Sequence, residues 1–500
     1  MLARANAAWQ RKDHGQSIEL LKHAIQMAPD EHRILLDLGR CHGLLYDYEE
    51  AGQCFEKAIR VSKWDASAFI TAGNHCVNFK RHDLARGYFE RGLKKNAGST
   101  EALVQLAKIY ERENQLAAAT DLVNQALRLN GDFRPALLVR ARLHRLAGEK
   151  EQAEKLLRSF VTRADPDFVT HAEAWYELGK ILDGESRFDE AMTAFQEAKA
   201  LLRPNAGKPF SIRQVIQLHM RKIGESVSTE MLQRWFEAGS TLEPLHRFCL
   251  LAGHPRSGTT LLEQVLDSHP EITSVEEMEI FKKEVLNPII SGIQIENLLQ
   301  VLDAVPLRQL QRSREHYFSL NERFLGRPVG GRLLIDKNPS LIALIPSIIR
   351  VIPEAKFLVA LRDPRDVCLS CFMQFLQITP VSSTYLSLQT TVNEYVSLMG
   401  FWRAVMPKIR NPYLEVRYED MVEDLESVAR RTLEFLEVPW DARVLGFDKH
   451  AQAKVVRSPT YADVKKPIYK GAIGRWQNYQ KYLEPYLDQL EPFVKAFGYG

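Results

Sequence analysis

The octapeptide Gly253-His254-Pro255-Arg256-Ser257-Gly258-Thr259-Thr260 concentrates two glycines, a guanidinium and three hydroxyls in one short stretch. The apolar run FCLLA (248–252) precedes it, and LLEQVLDSHPEI follows with apolar residues at 261, 262, 265 and 266. This pattern predicts a buried strand, a tight turn and a helix, with backbone N–H groups aimed at an anion on the helix N-terminus. A nucleoside-triphosphate loop of this shape carries a lysine where this chain has Thr259, and holds magnesium through its hydroxyl and a distant carboxylate. Asp336, at the end of RLLID, is a candidate for that carboxylate, yet Lys337 follows it at once. The residues leave two chemistries open. One is a magnesium-nucleotide site; the other is a site without metal, for a phosphate-bearing donor of a singly charged group.

Two further segments carry suitable groups. AKFLVALRDPRDVCLSCFMQF reads as a buried strand, a turn with Arg362 and a helix with Ser370, and an arginine and a hydroxyl so placed can grip one phosphate. Arg362 can equally pair with Asp363 or Asp366. YKGAIGRWQNY supplies Lys470 and Gly471, a cationic turn beside aromatic residues. Glu277 lies in an acidic cluster with Glu276 and Glu279, which by itself reads equally well as a solvated face. Cys368 and Cys371 form a CxxC without a second pair of metal ligands, so small buried helix residues are the simpler expectation.

Together these motifs resemble the sulfotransferases that use 3′-phosphoadenosine 5′-phosphosulfate (PAPS). PRSGTT is similar to their 5′-phosphosulfate loop, which implies donor contacts from Arg256, Ser257, Gly258, Thr259 and Thr260. LRDPRDVCLS is similar to their 3′-phosphate strand and helix, implying Arg362 and Ser370, and KGAIGRWQNY to the loop that closes over that phosphate, implying Lys470 and Gly471. DSHPEITSVEE resembles the tyrosylprotein branch and its bacterial relatives fused to tetratricopeptide repeats. That resemblance implies Glu277 as catalytic base, Lys337 of LLIDKNP as catalytic lysine and Tyr418 of VRYED beside the adenosine. Arg256 and Lys337 are implied to stabilise the departing phosphate oxygen. In VRSPTYADVKKPIY, Ser458 and Lys466 are the matches for a hydroxyl near the sulfuryl group and a lysine near the phosphates. Cytosolic members use a histidine base, which makes His254 and His269 the alternatives. His269, before Pro270, reads more simply as a helix-end cap.

The elements that must position these groups are legible in part. At 500 residues more than one domain is expected. The net charge of +3 gives no case for nucleic acid, and six scattered cysteines give none for a disulfide framework. No stretch is apolar for long enough to span a bilayer and the first residues lack a signal-peptide core, so a cytoplasmic location is expected. Gly39, Gly73, Ala107 and Ala141 recur every 34 residues, as do Ala51, Ala85, Ala119 and Ala153, and Phe55, Phe89, Val123 and Leu157. After a short insertion the pattern returns at Gly179, Ala191, Phe195 and Ala198. Small residues let paired helices approach and the large one fills the space between pairs. This resembles the tetratricopeptide repeat, in about six copies over 1–203.

The expected architecture is an α-helical repeat solenoid (1–203), a helical connector (204–246) and a phosphate-loop α/β domain (247–500), its mostly parallel sheet flanked by helices. The expected function is transfer of a sulfo group from PAPS to a hydroxyl, the repeat groove offering a place for a protein or peptide tyrosine. No metal is expected. Two rivals stand beside it: a phosphate-loop kinase or nucleotide hydrolase, and a repeat scaffold with an inactive nucleotide domain.

Overall fold

The computed structural model describes the chain except for residues 12, 164–166, 244–245, 292–296, 454–467 and 469. Residues 1–164 and 165–500 form two compact units.

The first unit is a series of antiparallel helix pairs from Leu2–Gln10 to Lys150–Val161. The 34-residue period has a direct packing cause. A Cβ on Gly39 would sit 2.5 Å from the Phe55 ring, and one on Gly73 would sit 2.7 Å from Phe89. Each glycine gives up its side chain so that the aromatic of the next helix can lie against its backbone. Ala51, Ala58, Ala72, Ala85 and Ala107 are buried at the same kind of contact.

The second unit begins with another such pair, Phe168–Gly184 and Phe188–Leu202, in which a Cβ on Gly179 would sit 2.7 Å from the Phe195 ring. Helices Gly207–Ser226 and Thr229–Ala238 follow. The Arg213 guanidinium is buried on Glu394, with Gln217 donating to the same carboxylate at 2.6 Å.

The centre is a five-stranded sheet: β1 (Phe248–Gly253), β2 (Ile272–Glu276), β3 (Leu333–Lys337), β4 (Lys356–Leu361) and β5 (Tyr413–Arg417), ordered β2-β3-β1-β4-β5. Every pairing is parallel. Burial on both faces explains the continuous apolar runs. Cys249 and Leu251 pack with Leu333, Ile335, Leu358 and Val416 against helices Thr259–Asp267 and Leu425–Phe435. On the opposite face Phe248 meets Tyr317 and Phe318 of helix Leu307–Leu325. The expected α/β class is the observed one. Among the described residues no helix is long and apolar enough to cross a membrane.

Candidate functional site

In an open parallel sheet, ligands bind beyond the carboxyl ends of the strands where strand order reverses around the first strand. All five strand ends here carry residues singled out by the sequence: Gly253 on β1, Glu276 on β2, Lys337 on β3, Arg362 just after β4 and Tyr418 just after β5.

The β1 turn is shaped by its glycines. Gly258 has φ +93°, and a Cβ there would lie 2.7 Å from Cδ2 of Tyr418. It caps helix Thr259–Asp267 without a side chain, so the positive end of the helix is presented at the loop. Arg256 is itself left-handed, φ 74°, an arrangement that costs a non-glycine residue roughly 1–2 kcal/mol. That conformation puts its side chain on the neighbouring strand's helix, where Nε donates to Ser370 Oγ at 3.0 Å. Ser257 turns inward, its hydroxyl donating to the His254 carbonyl at 2.7 Å. Thr259 and Thr260 are buried in the first helical turn.

Arg362 joins this group from β4. One terminal nitrogen donates to the Arg256 carbonyl at 3.3 Å and the other to the Ala472 carbonyl at 2.5 Å. Its guanidinium carbon lies 5.1 Å from the centre of the Tyr418 ring, and its buried Nε has no partner. Asp366 stands 3.8 Å from Arg362 and also accepts from the backbone N–H groups of Gly474 and Trp476, both at 2.8 Å. Lys470 and Gly471 are exposed in the turn Lys470–Ala472 that these bonds hold. Arg256, Ser370, Arg362, Tyr418 and the Lys470–Ala472 turn are thus brought together. Ser458 and Lys466 lie outside the described residues.

A second cluster closes β2 and β3. Strand alternation places Leu333, Ile335 and Lys337 on one face and Leu334 and Asp336 on the other. Lys337 therefore points toward the loop helix, and its ammonium meets Glu277 at 2.9 Å, Glu276 at 3.3 Å and Glu263 at 3.6 Å. Lys337 and Glu263 are fully buried, whereas the Glu277 side chain keeps 31% of its surface. Burial alone would lower the lysine's pKa; the carboxylates of Glu277, Glu263 and Glu276 outweigh it, and the pKa is raised. Glu277 reaches Lys337 because its backbone leaves the strand path at φ 51°, which turns it onto the same side as Glu276.

Asp336 faces the other way and accepts from the Tyr317 hydroxyl at 2.6 Å, in an apolar setting that pushes its carboxyl up to about 7. The carboxylate that a magnesium-nucleotide site would need thus lies on the face opposite Lys337. The histidines are structural: burial pushes His254 down to about 4, and its Nδ1 lies 2.8 Å from the Pro255 carbonyl. His269 bridges the Pro439 carbonyl and the Glu271 amide at 2.9 and 3.1 Å. Cys368 and Cys371 are unpaired and buried, burial pushing Cys371 up to about 12.

Residues 250–442 match the model of the family described as the sulfotransferase family. Residues 2–68, 138–206 and 100–133 match tetratricopeptide-repeat models. The chain joins tetratricopeptide-type repeats to a region that matches the sulfotransferase family. The matched region contains Arg256, Glu277, Lys337, Arg362, Ser370 and Tyr418. Over 402 residues the chain is 24% identical to an uncharacterized protein of Aquifex aeolicus (strain VF5), covering 79% of this chain and 50% of that one. It is 25% identical over 266 residues to protein-tyrosine sulfotransferase A of Caenorhabditis elegans, covering 50% and 67%. With the protein-tyrosine sulfotransferase of Drosophila melanogaster it shares 27% over 241 residues, covering 45% and 46%. The chain thus spans about half the length of the Aquifex and Drosophila relatives.

The sequence reading missed Glu263, Lys337's buried partner within the matched region. In LLEQVLD the apolar residues 261, 262, 265 and 266 mark one helix face and Glu263 falls outside it, so no local pattern marks it as buried. It also treated Asp366 only as a partner for Arg362, not as the acceptor for the C-terminal turn.

Proposed function

We propose that the protein transfers a sulfo group from PAPS to a hydroxyl, with a tyrosine of a protein or peptide as acceptor and the repeats as the surface that presents it. The observation carrying this reading is the convergence of Arg256, Ser370 and Arg362 on a loop without a lysine, next to the Lys337–Glu277 pair. Arg362, with a buried donor to spare, suits the 3′-phosphate together with Ser370 and the Lys470–Gly471 turn. The β1 loop and Arg256 suit the 5′-phosphosulfate. Tyr418, stacked beneath Arg362, suits the adenosine side.

In the reaction, the acceptor oxygen forms a bond to sulfur as the bond from sulfur to the 5′-phosphate oxygen breaks. The acceptor proton passes to the Glu277 carboxylate, and adenosine 3′,5′-bisphosphate leaves. Lys337, its own ammonium kept charged by the carboxylates around it, aims that carboxylate. Arg256 meets the charge that grows on the departing oxygen, the electrostatic contribution that dominates many such transfers. A direct contact from Lys337 to that oxygen requires the donor to displace one of its carboxylates. Relatives named as protein-tyrosine sulfotransferases support the tyrosine acceptor.

Calorimetry with adenosine 3′,5′-bisphosphate in EDTA tests the donor. Binding without metal is expected; preference for ATP with magnesium returns the kinase reading.

A further inference from the structure

We infer that Asp183, on a helix of repeat type, is a positioning residue for the donor-binding turn at 470–476, an inference that rests on the PAPS reading above. The turn is short and has little core of its own, so its place is set by what holds its two sides. On the inner side Arg362 takes the Ala472 carbonyl, and Asp366 takes the amides of Gly474 and Trp476. At Gly474, φ +69°, the chain reverses and sends the next residue outward. There Arg475 donates to one oxygen of Asp183 at 2.7 Å, and the Tyr479 hydroxyl donates to the other, also at 2.7 Å.

This is a built contact rather than a surface coincidence. Tyr479 is fully buried, its ring set edge-on against Phe188 with centroids 5.3 Å apart, and its hydroxyl needs the acceptor that Asp183 provides. The same pair of helices continues the attachment through Asp189, which accepts from Lys481 at 2.8 Å and Tyr482 at 3.0 Å. Lys199, one turn before the end of its helix, donates to the Gln374 carbonyl just beyond the helix that carries Ser370. Helices Phe168–Gly184 and Phe188–Leu202 match the repeat model, yet they brace two of the segments assigned to the 3′-phosphate. A turn already held in place does not have to be ordered when the donor arrives, and that ordering would otherwise be subtracted from donor affinity. Asp183 touches neither Glu277 nor Lys337, so its contribution falls on donor affinity and not on the chemical step.

The test uses the full chain with Asp183→Asn, Arg475→Gln and the double variant, each checked for an intact melting transition. Calorimetry gives the Kd of adenosine 3′,5′-bisphosphate, and assays at varied PAPS give donor KM and kcat. Each single change is expected to raise Kd and donor KM about tenfold while kcat at saturating donor stays within about twofold. The double variant is expected to be no weaker than the worse single one, because both remove one contact. Arg475→Gln carries the test should Asp183→Asn fail to fold. A wild-type Kd in either folded variant, additive losses, or a fall in kcat at unchanged KM overturns the inference. Failure of the unmodified chain to bind the bisphosphate overturns the PAPS reading, and this inference with it.

Discussion

Lys337 and Glu277 are joined twice: the Glu277 amide donates to the Lys337 carbonyl at 2.7 Å, and the Lys337 ammonium donates to Glu277 Oε1 at 2.9 Å. The backbone bond fixes where the glutamate leaves β2, and the side-chain bond fixes where its carboxylate points. Of the three carboxylates on this lysine, Glu277 is the one with appreciable surface, the condition for reaching an acceptor.

Glu277→Gln keeps the shape and removes the proton acceptor. Turnover is expected to fall by ~10²–10⁴, the usual worth of a general base, while the Kd for adenosine 3′,5′-bisphosphate changes little. Steady-state rates set beside calorimetry on the same samples check both halves.

Lys337→Met leaves Glu263 and Glu276 buried around an uncharged chain. Removing one partner of a buried ion cluster costs about 3–5 kcal/mol, so a large loss of stability is expected along with loss of transfer. Urea unfolding of the variant against wild type measures it.

Ser370→Ala takes away the hydroxyl that receives Arg256 Nε. The guanidinium loses its fixed direction, and a bond to a charged group is worth about 1.5–3 kcal/mol, so bisphosphate affinity is expected to fall at least about tenfold. Gly258→Ala acts on the same site through the backbone: φ +93° and the Tyr418 ring 2.7 Å away leave no room for a Cβ. It is expected to cost at least about 1–2 kcal/mol of stability and to displace Tyr418, readable as weaker donor binding.

His254 predicts a pH effect. Burial lowers its pKa to about 4, so between that value and the ordinary value near 6.5 the unfolded chain binds more protons than the folded one. Its contribution is complete above the unfolded value and is lost as pH falls toward the folded one. Asp336, pushed up by burial to about 7, has the opposite sign: its contribution is present in acid and is lost as pH rises through that range. Comparing wild type with His254→Phe isolates the histidine. The difference in unfolding free energy is expected to shift against wild type by roughly 2–3 kcal/mol between about pH 7.5 and about pH 4.5.

The repeats and the phosphate loop were legible because each is written in local constraints. Gly39 and Gly73 are glycine because Phe55 and Phe89 occupy the space of a Cβ, and Gly258 because Tyr418 does. The partners of the site's charges were less legible. Glu263 sits among helix residues that read as a half-exposed face, and only the depth of the sheet shows that it is buried against Lys337. Asp336 and Lys337 look like an ion pair in sequence, yet strand alternation sends them to opposite faces, one to Tyr317 and the other to Glu277. Asp183 and Arg475 meet across a sequence separation that no local pattern reports.

The most direct measurement follows radiosulfur-labelled PAPS, in EDTA, with the full chain and a tyrosine-bearing peptide. Sulfo transfer predicts label on the tyrosine oxygen with wild type and its near-absence with Glu277→Gln. Failure of wild type to move label from PAPS to any hydroxyl, together with magnesium-dependent consumption of ATP, would contradict it.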